Sequence, residues 1–129
     1  MRRFLPFRDP ERHLCDILES IDRINEFIGD MNFTAYQRDE KTRAAVERKM
    51  QILTEAVIRL EMEGPQAYPE IDSKGYRGMG NVLRHPYHRV SDEIVCNTVK
   101  DDLPLLRKIV EKALQASSPL PPDEKVDLG

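Results

Sequence analysis

Between Asp72 and Asp92 the sequence carries no acidic residue, yet Lys74, Arg77, Arg84, His85, His88 and Arg89 all fall there. The chain has 129 residues, with 20 Lys and Arg against 23 Asp and Glu, so this stretch is a basic island in a chain of formal net charge −3. Gly75, Gly78 and Gly80 lie within it, and each lowers helix propensity by up to ~1 kcal/mol relative to Ala. Glycines so closely spaced point to a close backbone approach, by another helix, a second subunit or a phosphate. At about 100° per residue, Arg77, Asn81 and Arg84 share one helical face, and His85 stands just off it at the helix end. Pro86 stops the helix and Tyr87 follows directly with a phenol. Arginine holds phosphate oxygens through paired donors and histidine moves protons near neutral pH. Together these groups suit the handling of a phosphodiester.

The elements that must position them read as helices. Asp9-Pro10-Glu11 supplies a cap, a first-turn proline and an acid at a helix start. From there Leu14, Ile17, Leu18, Ile21, Ile24 and Ile28 form one apolar stripe, and Gly29 offers a stop. Thr34 opens a segment able to cap one or two turns. A second long helix begins near Asp39, carries Ala45, Met50, Leu53, Val57 and Leu60, and ends at Gly64-Pro65. Its breadth of apolar residues fits either a central bundle helix or a helix that also meets a partner subunit. A third runs from about Lys74 to Arg84. Ser91-Asp92-Glu93 restarts a helix, an apolar stripe runs from Leu103 to Leu114, and Pro104 near its start predicts a kink or a break there. The fold class is therefore all-α, an up-and-down bundle of four to five helices over residues 1–116. Residues 117–129, proline-rich, charged and aperiodic, read as a disordered tail.

Other chemistries fit less well. No stretch approaches the ~20 apolar residues of a membrane span. The opening MRRFLPFRDPERH lacks the apolar run of a secretory signal, so the chain reads as cytoplasmic. Cys15 and Cys96, far apart, read as buried thiols rather than a disulfide or nucleophiles. His85 and His88 have a metal-like spacing without the further ligands a zinc site needs, so no metal and no cofactor is implied. Glu19, Asp22, Glu47 and Glu55 read as solvated helix faces. The glycine run has neither the Lys-Ser/Thr ending nor the preceding strand of a phosphate loop. With a net negative chain, any grip on RNA must be local. Arg77 and Arg84 can equally be solvated charges, and Tyr87 a packed aromatic.

The run Gly78-Met79-Gly80-Asn81-Val82-Leu83-Arg84-His85-Pro86-Tyr87 resembles the signature of the HepT-like branch of the HEPN superfamily. RDPERHLCDILESIDRINEFIGDM, DEKTRAAVERKMQILTEAVIRL and DEIVCNTVKDDLPLL resemble the same family in the same order, so the likeness spans roughly Arg8 to Leu114. It implies a HEPN-like domain over residues 1–116 that forms a homodimer with two motifs facing a shared cleft. It also implies metal-independent cleavage of RNA by attack of the ribose 2′-hydroxyl. The family's members are ribonuclease toxins of type VII toxin–antitoxin pairs, whose partner is a MntA-like minimal nucleotidyltransferase. On that resemblance His85 is the general acid or base, with Asn81 beside it, and an arginine stabilises the transition state. The same resemblance makes Tyr87 the residue the partner modifies with AMP, while Lys74, His88 and Arg89, as cations of the basic island, are the expected RNA contacts.

The sequence departs from the pattern at one point. The family's arginine precedes the histidine by four to six intervening residues, and those positions here hold Gly80, Met79 and Gly78. Arg77 and Arg84 are the remaining candidates. A rival reading follows, in which the chain is a catalytically inactive HEPN-like module that binds a nucleotidyltransferase or a nucleotide.

Overall fold

In a computed structural model that describes residues 10–85 and 91–116, the periodic stretches become helices, and no strand occurs among the described residues. Helix α1 (Pro10–Ile28) buries His13, Leu14, Ile17, Ser20, Ile21 and Ile24, a stripe of one helical face. Gly29 ends it at φ 53°, where a residue without a Cβ meets no steric cost, and its N–H donates to Asn25 O at 2.9 Å. Helix α2 (Phe33–Arg38) is capped by Asn32, whose Oδ1 accepts from Ala35 N at 2.8 Å, so the cap lies two residues ahead of the expected Thr34. Helix α3 (Glu40–Glu63) starts from Asp39, whose carboxylate accepts from Thr42 N at 3.0 Å, and stops at Gly64. Helix α4 (Ser73–Leu83) carries the basic island.

Helix α5 (Asp92–Asn97) follows the Ser91 cap and leads through a π-helical turn (Thr98–Asp102) into α6 (Leu103–Ala116). The irregularity expected near Pro104 is thus a widened turn rather than a break. Leu103 N bonds to Thr98 O, five residues back. The proline has no N–H to give to a carbonyl four residues earlier, and its ring would crowd that carbonyl in a regular α-helix. Thr98 and Leu103, five apart, are both buried. The residues proposed as a tail, 117–129, lie outside the described residues, as does Asp9.

Helix α3 packs on α1, α4 and α2, and α1 packs on α6. The broad apolar surface of α3 is therefore that of a central bundle helix. One core joins Leu14, Ile17, Ile21 and Ile24 of α1 to Met50, Leu53, Val57 and Leu60 of α3, with Val95, Leu103, Leu106 and Val110 behind. Burying each such side chain contributes about 1.5–3 kcal/mol. His13 is also inside, its Nε2 3.1 Å from Glu63 Oε2, which ties the start of α1 to the end of α3. None of the described helices is long and apolar enough to cross a membrane.

Tyr76 seats α4 in this core. Burial first, then the charges of Asp102 and Asp72, push its phenol from 10.0 up to about 12. The unfolded chain thus loses this proton at lower pH than the folded one. The stabilising difference is intact below pH 10 and disappears as the pH rises from 10 through about 12. Chemical denaturation at successive pH values should show stability falling across that window in the native sequence, and less steeply in Tyr76→Phe.

Candidate active site

The geometry of the basic island is set by where α4 meets α3. Asp72 caps α4, its Oδ1 accepting from Gly75 N at 3.0 Å, and a Cβ at Gly75 would run into that carboxylate. Gly80 marks the crossing point. A Cβ there would stand 2.8 Å from Thr54 Oγ1 and 3.1 Å from Thr54 Cβ. Thr54 is wholly buried and its hydroxyl donates to Gln51 O at 2.9 Å, so it has little room to yield. Two of the three glycines therefore have reasons inside the chain. Gly78 differs: it is exposed, and a Cβ there meets no described atom within 4 Å.

The crossing brings acids of α3 under the arginines of α4. Arg84 donates through Nη2 to Asn81 Oδ1, one turn earlier, and its Nη1 lies 3.8 Å from Glu55 Oε1. Glu55 also faces Arg59, Oε2 to Nη2 3.9 Å. Arg77 is held elsewhere, its Nη2 donating to Glu61 Oε1 at 3.1 Å. These pairs are half-exposed, so each adds little to stability and acts chiefly to orient its guanidinium. His85 is exposed just past the helix end, its backbone N donating to Val82 O at 3.1 Å.

Of the residues singled out in the sequence, Asn81 and Arg84 meet side chain to side chain at the end of α4, and exposed His85 follows next in the chain. Arg77 lies eight residues before His85, about 12 Å along the axis, and Lys74 is exposed in the first turn, about 16 Å away. Tyr87, His88 and Arg89 lie outside the described residues. Glu55 and Glu61 are the site residues that sequence reasoning missed. The sequence places Glu55 on a solvated face, yet it reaches Arg84, and nothing in the order of residues announces that contact.

Cys15 also departs from expectation, being exposed rather than buried. It follows Leu14 directly, and one residue rotates a side chain about 100° away from the buried stripe. Cys96 is half-buried, and burial, with Asp92 adding to it, pushes its thiol up, away from the reactive thiolate. Among the described residues, no three His, Cys, Asp or Glu side chains gather closely enough to hold a metal ion.

Fold and site define a small all-helical domain that presents arginine, asparagine and histidine at one helix end. The family model described as "Ribonuclease HepT-like" matches residues 17–113. "Putative RNase MJ0127" of Methanocaldococcus jannaschii is 32% identical over 111 residues, covering 86% of this chain and 92% of that protein. "Probable ribonuclease HepT" of Thermococcus cleftensis is 33% identical over 105 residues, covering 81% of this chain and 96% of that protein. No solved structure matches the chain. The chain belongs to the HepT-like ribonuclease family.

Proposed function

We propose that the chain is the toxin of a type VII toxin–antitoxin pair: a metal-independent endoribonuclease, active in the cytoplasm as a homodimer. What supports the reading is the Arg84–Asn81 pair at the end of α4 with exposed His85 next in the chain, in a member of a ribonuclease family. Reaction begins at the ribose 2′-hydroxyl, which gives up its proton as its oxygen bonds to the adjacent phosphorus. The bond from phosphorus to the 5′-oxygen breaks and that oxygen takes up a proton, leaving a 2′,3′-cyclic phosphate and a 5′-hydroxyl. His85 carries out one of the two proton transfers and a second copy of the chain supplies the other across the dimer cleft. A guanidinium of α4 steadies the extra negative charge on the phosphoryl oxygens. Lys74, His88 and Arg89 hold the flanking phosphates.

The open face of α4 supports pairing of two copies. Gly78 leaves space for a backbone to approach, and the neighbouring Val82 is 37% exposed. The off-switch is a MntA-like nucleotidyltransferase. The Tyr87 phenol gives up its proton as its oxygen bonds to the α-phosphorus of ATP and pyrophosphate leaves, so that an AMP phosphate stands beside the cations and repels RNA.

The test is cleavage of a defined RNA by the purified chain in excess EDTA. The expected result is undiminished cleavage that leaves 2′,3′-cyclic phosphate ends, and activity that disappears with the chelator would overturn the mechanism. Gly78, Met79 and Gly80, which occupy the positions where the family's spacing places its arginine, favour the rival reading of an inactive module that binds the nucleotidyltransferase or a nucleotide. That reading predicts no cleavage and no growth arrest when the chain is expressed alone.

A further inference from the structure

We infer that Arg84 is the catalytic guanidinium of this chain, that Gly80 makes room for it, and that Glu55 and Asn81 are its positioning residues. The inference rests on the nuclease reading above. Side chains on a helix lean toward its N-terminus, so the side chain of Arg84 passes back over the preceding turn. There its Nη1 lies 3.7 Å from the point where a Cβ on residue 80 would stand. A long side chain at position 80 would grow into the space this guanidinium fills. Thr54, which faces that same point at 2.8 Å, already forbids one without movement of α3. The crossing of α3 and α4 therefore takes away an arginine at position 80 and leaves its place to be reached from position 84.

The reaching guanidinium is held on two sides. Asn81 Oδ1 accepts from Nη2, and Glu55 stands 3.8 Å from Nη1. A guanidinium has five N–H donors, so donors remain for phosphate oxygens after both contacts are made. The Arg84 side chain is 37% exposed, open enough to meet a polyanion. Arg77 differs in place rather than in openness: Glu61 holds it, and two helical turns separate it from His85.

The test measures single-turnover cleavage for Arg84→Ala, Arg77→Ala and Glu55→Ala, with His85→Ala alongside. Arg84→Ala should lose about 10²–10³-fold in rate, the usual cost of removing a donor aimed at developing charge. Free guanidinium ion should restore part of that loss, and Arg77→Ala should lose far less. Glu55→Ala should lower the maximal single-turnover rate by roughly tenfold with little change in the RNA concentration that gives half of it, and Glu55→Gln, which keeps one oxygen toward Arg84, should recover most of the loss. Full activity in Arg84→Ala beside a dead His85→Ala overturns the inference and spares the nuclease reading. A loss in Arg77→Ala that equals the loss in Arg84→Ala overturns it as well.

If the native chain cleaves nothing, the nuclease reading and the catalytic role of Arg84 fall together, and binding of a 2′-deoxy oligonucleotide, read by fluorescence anisotropy, decides whether Arg84 grips phosphate from the place beside Gly80. Loss of one phosphate contact in Arg84→Ala should then reduce the slope of log affinity against log salt by about 0.7. An unchanged slope overturns the inference.

Discussion

His85→Ala should slow RNA cleavage by about 10²–10⁴-fold, the range a positioned acid–base group contributes. The side chain is exposed beyond the end of α4, and the local backbone contact, His85 N to Val82 O, survives any substitution except proline. Substitutions at such surface positions usually change stability by no more than about 0.5 kcal/mol. Cleavage and thermal unfolding should therefore separate cleanly, the first collapsing while the second stays put. Native-like cleavage by the variant would remove histidine from the mechanism and with it the reason to place the chemistry at this helix end.

Leu53→Ala should have the largest effect on stability, about 3–5 kcal/mol, as expected for a large aliphatic side chain removed from a site that cannot collapse around the void. Leu53 is wholly buried in the middle of α3, among side chains from α1 and α3 that are themselves fully covered. Domains of this size are stable by only about 5–15 kcal/mol, so the change takes a large share of the total. Urea titration should show the midpoint falling with little change in slope. Because Thr54 and Glu55 come next in the chain, the same variant should also loosen the seat of α4 and lower cleavage even where most molecules remain folded. A midpoint within experimental error of the native value would show that α3 is not the central helix of the core.

The helices were legible because their signals are local. The stripe of α1, the Gly64-Pro65 stop and the Ser91 cap each rest on residues within one or two turns of each other, and the all-α architecture follows from them. The polar members of the α1 stripe, His13 and Ser20, were not legible, since a polar residue on a buried face announces itself only through a partner such as Glu63, fifty residues away. The same limit applies at the site. Asn81, Arg84 and His85 are neighbours in sequence and stand out together there. Glu55 belongs with them only because Gly80 and Thr54 let two helices approach, and that approach is a tertiary fact. Between Arg77 and Arg84 the sequence had no means to choose, because helical spacing puts both on the face that meets α3.

The π-helical turn ahead of Pro104 keeps count as well as accommodating a ring. Thr98 and Leu103, five residues apart, would point in different directions on an α-helix, yet both look inward because the turn bonds residues five apart. The turn works as an angular shim, absorbing one surplus residue so that Leu103, Leu106 and Val110 stay in phase with Val95. A homologue one residue shorter in this stretch could keep the same core with an unbroken α-helix. Correct alignments of such pairs would then carry a one-residue gap in the middle of a helix, where gaps are ordinarily refused.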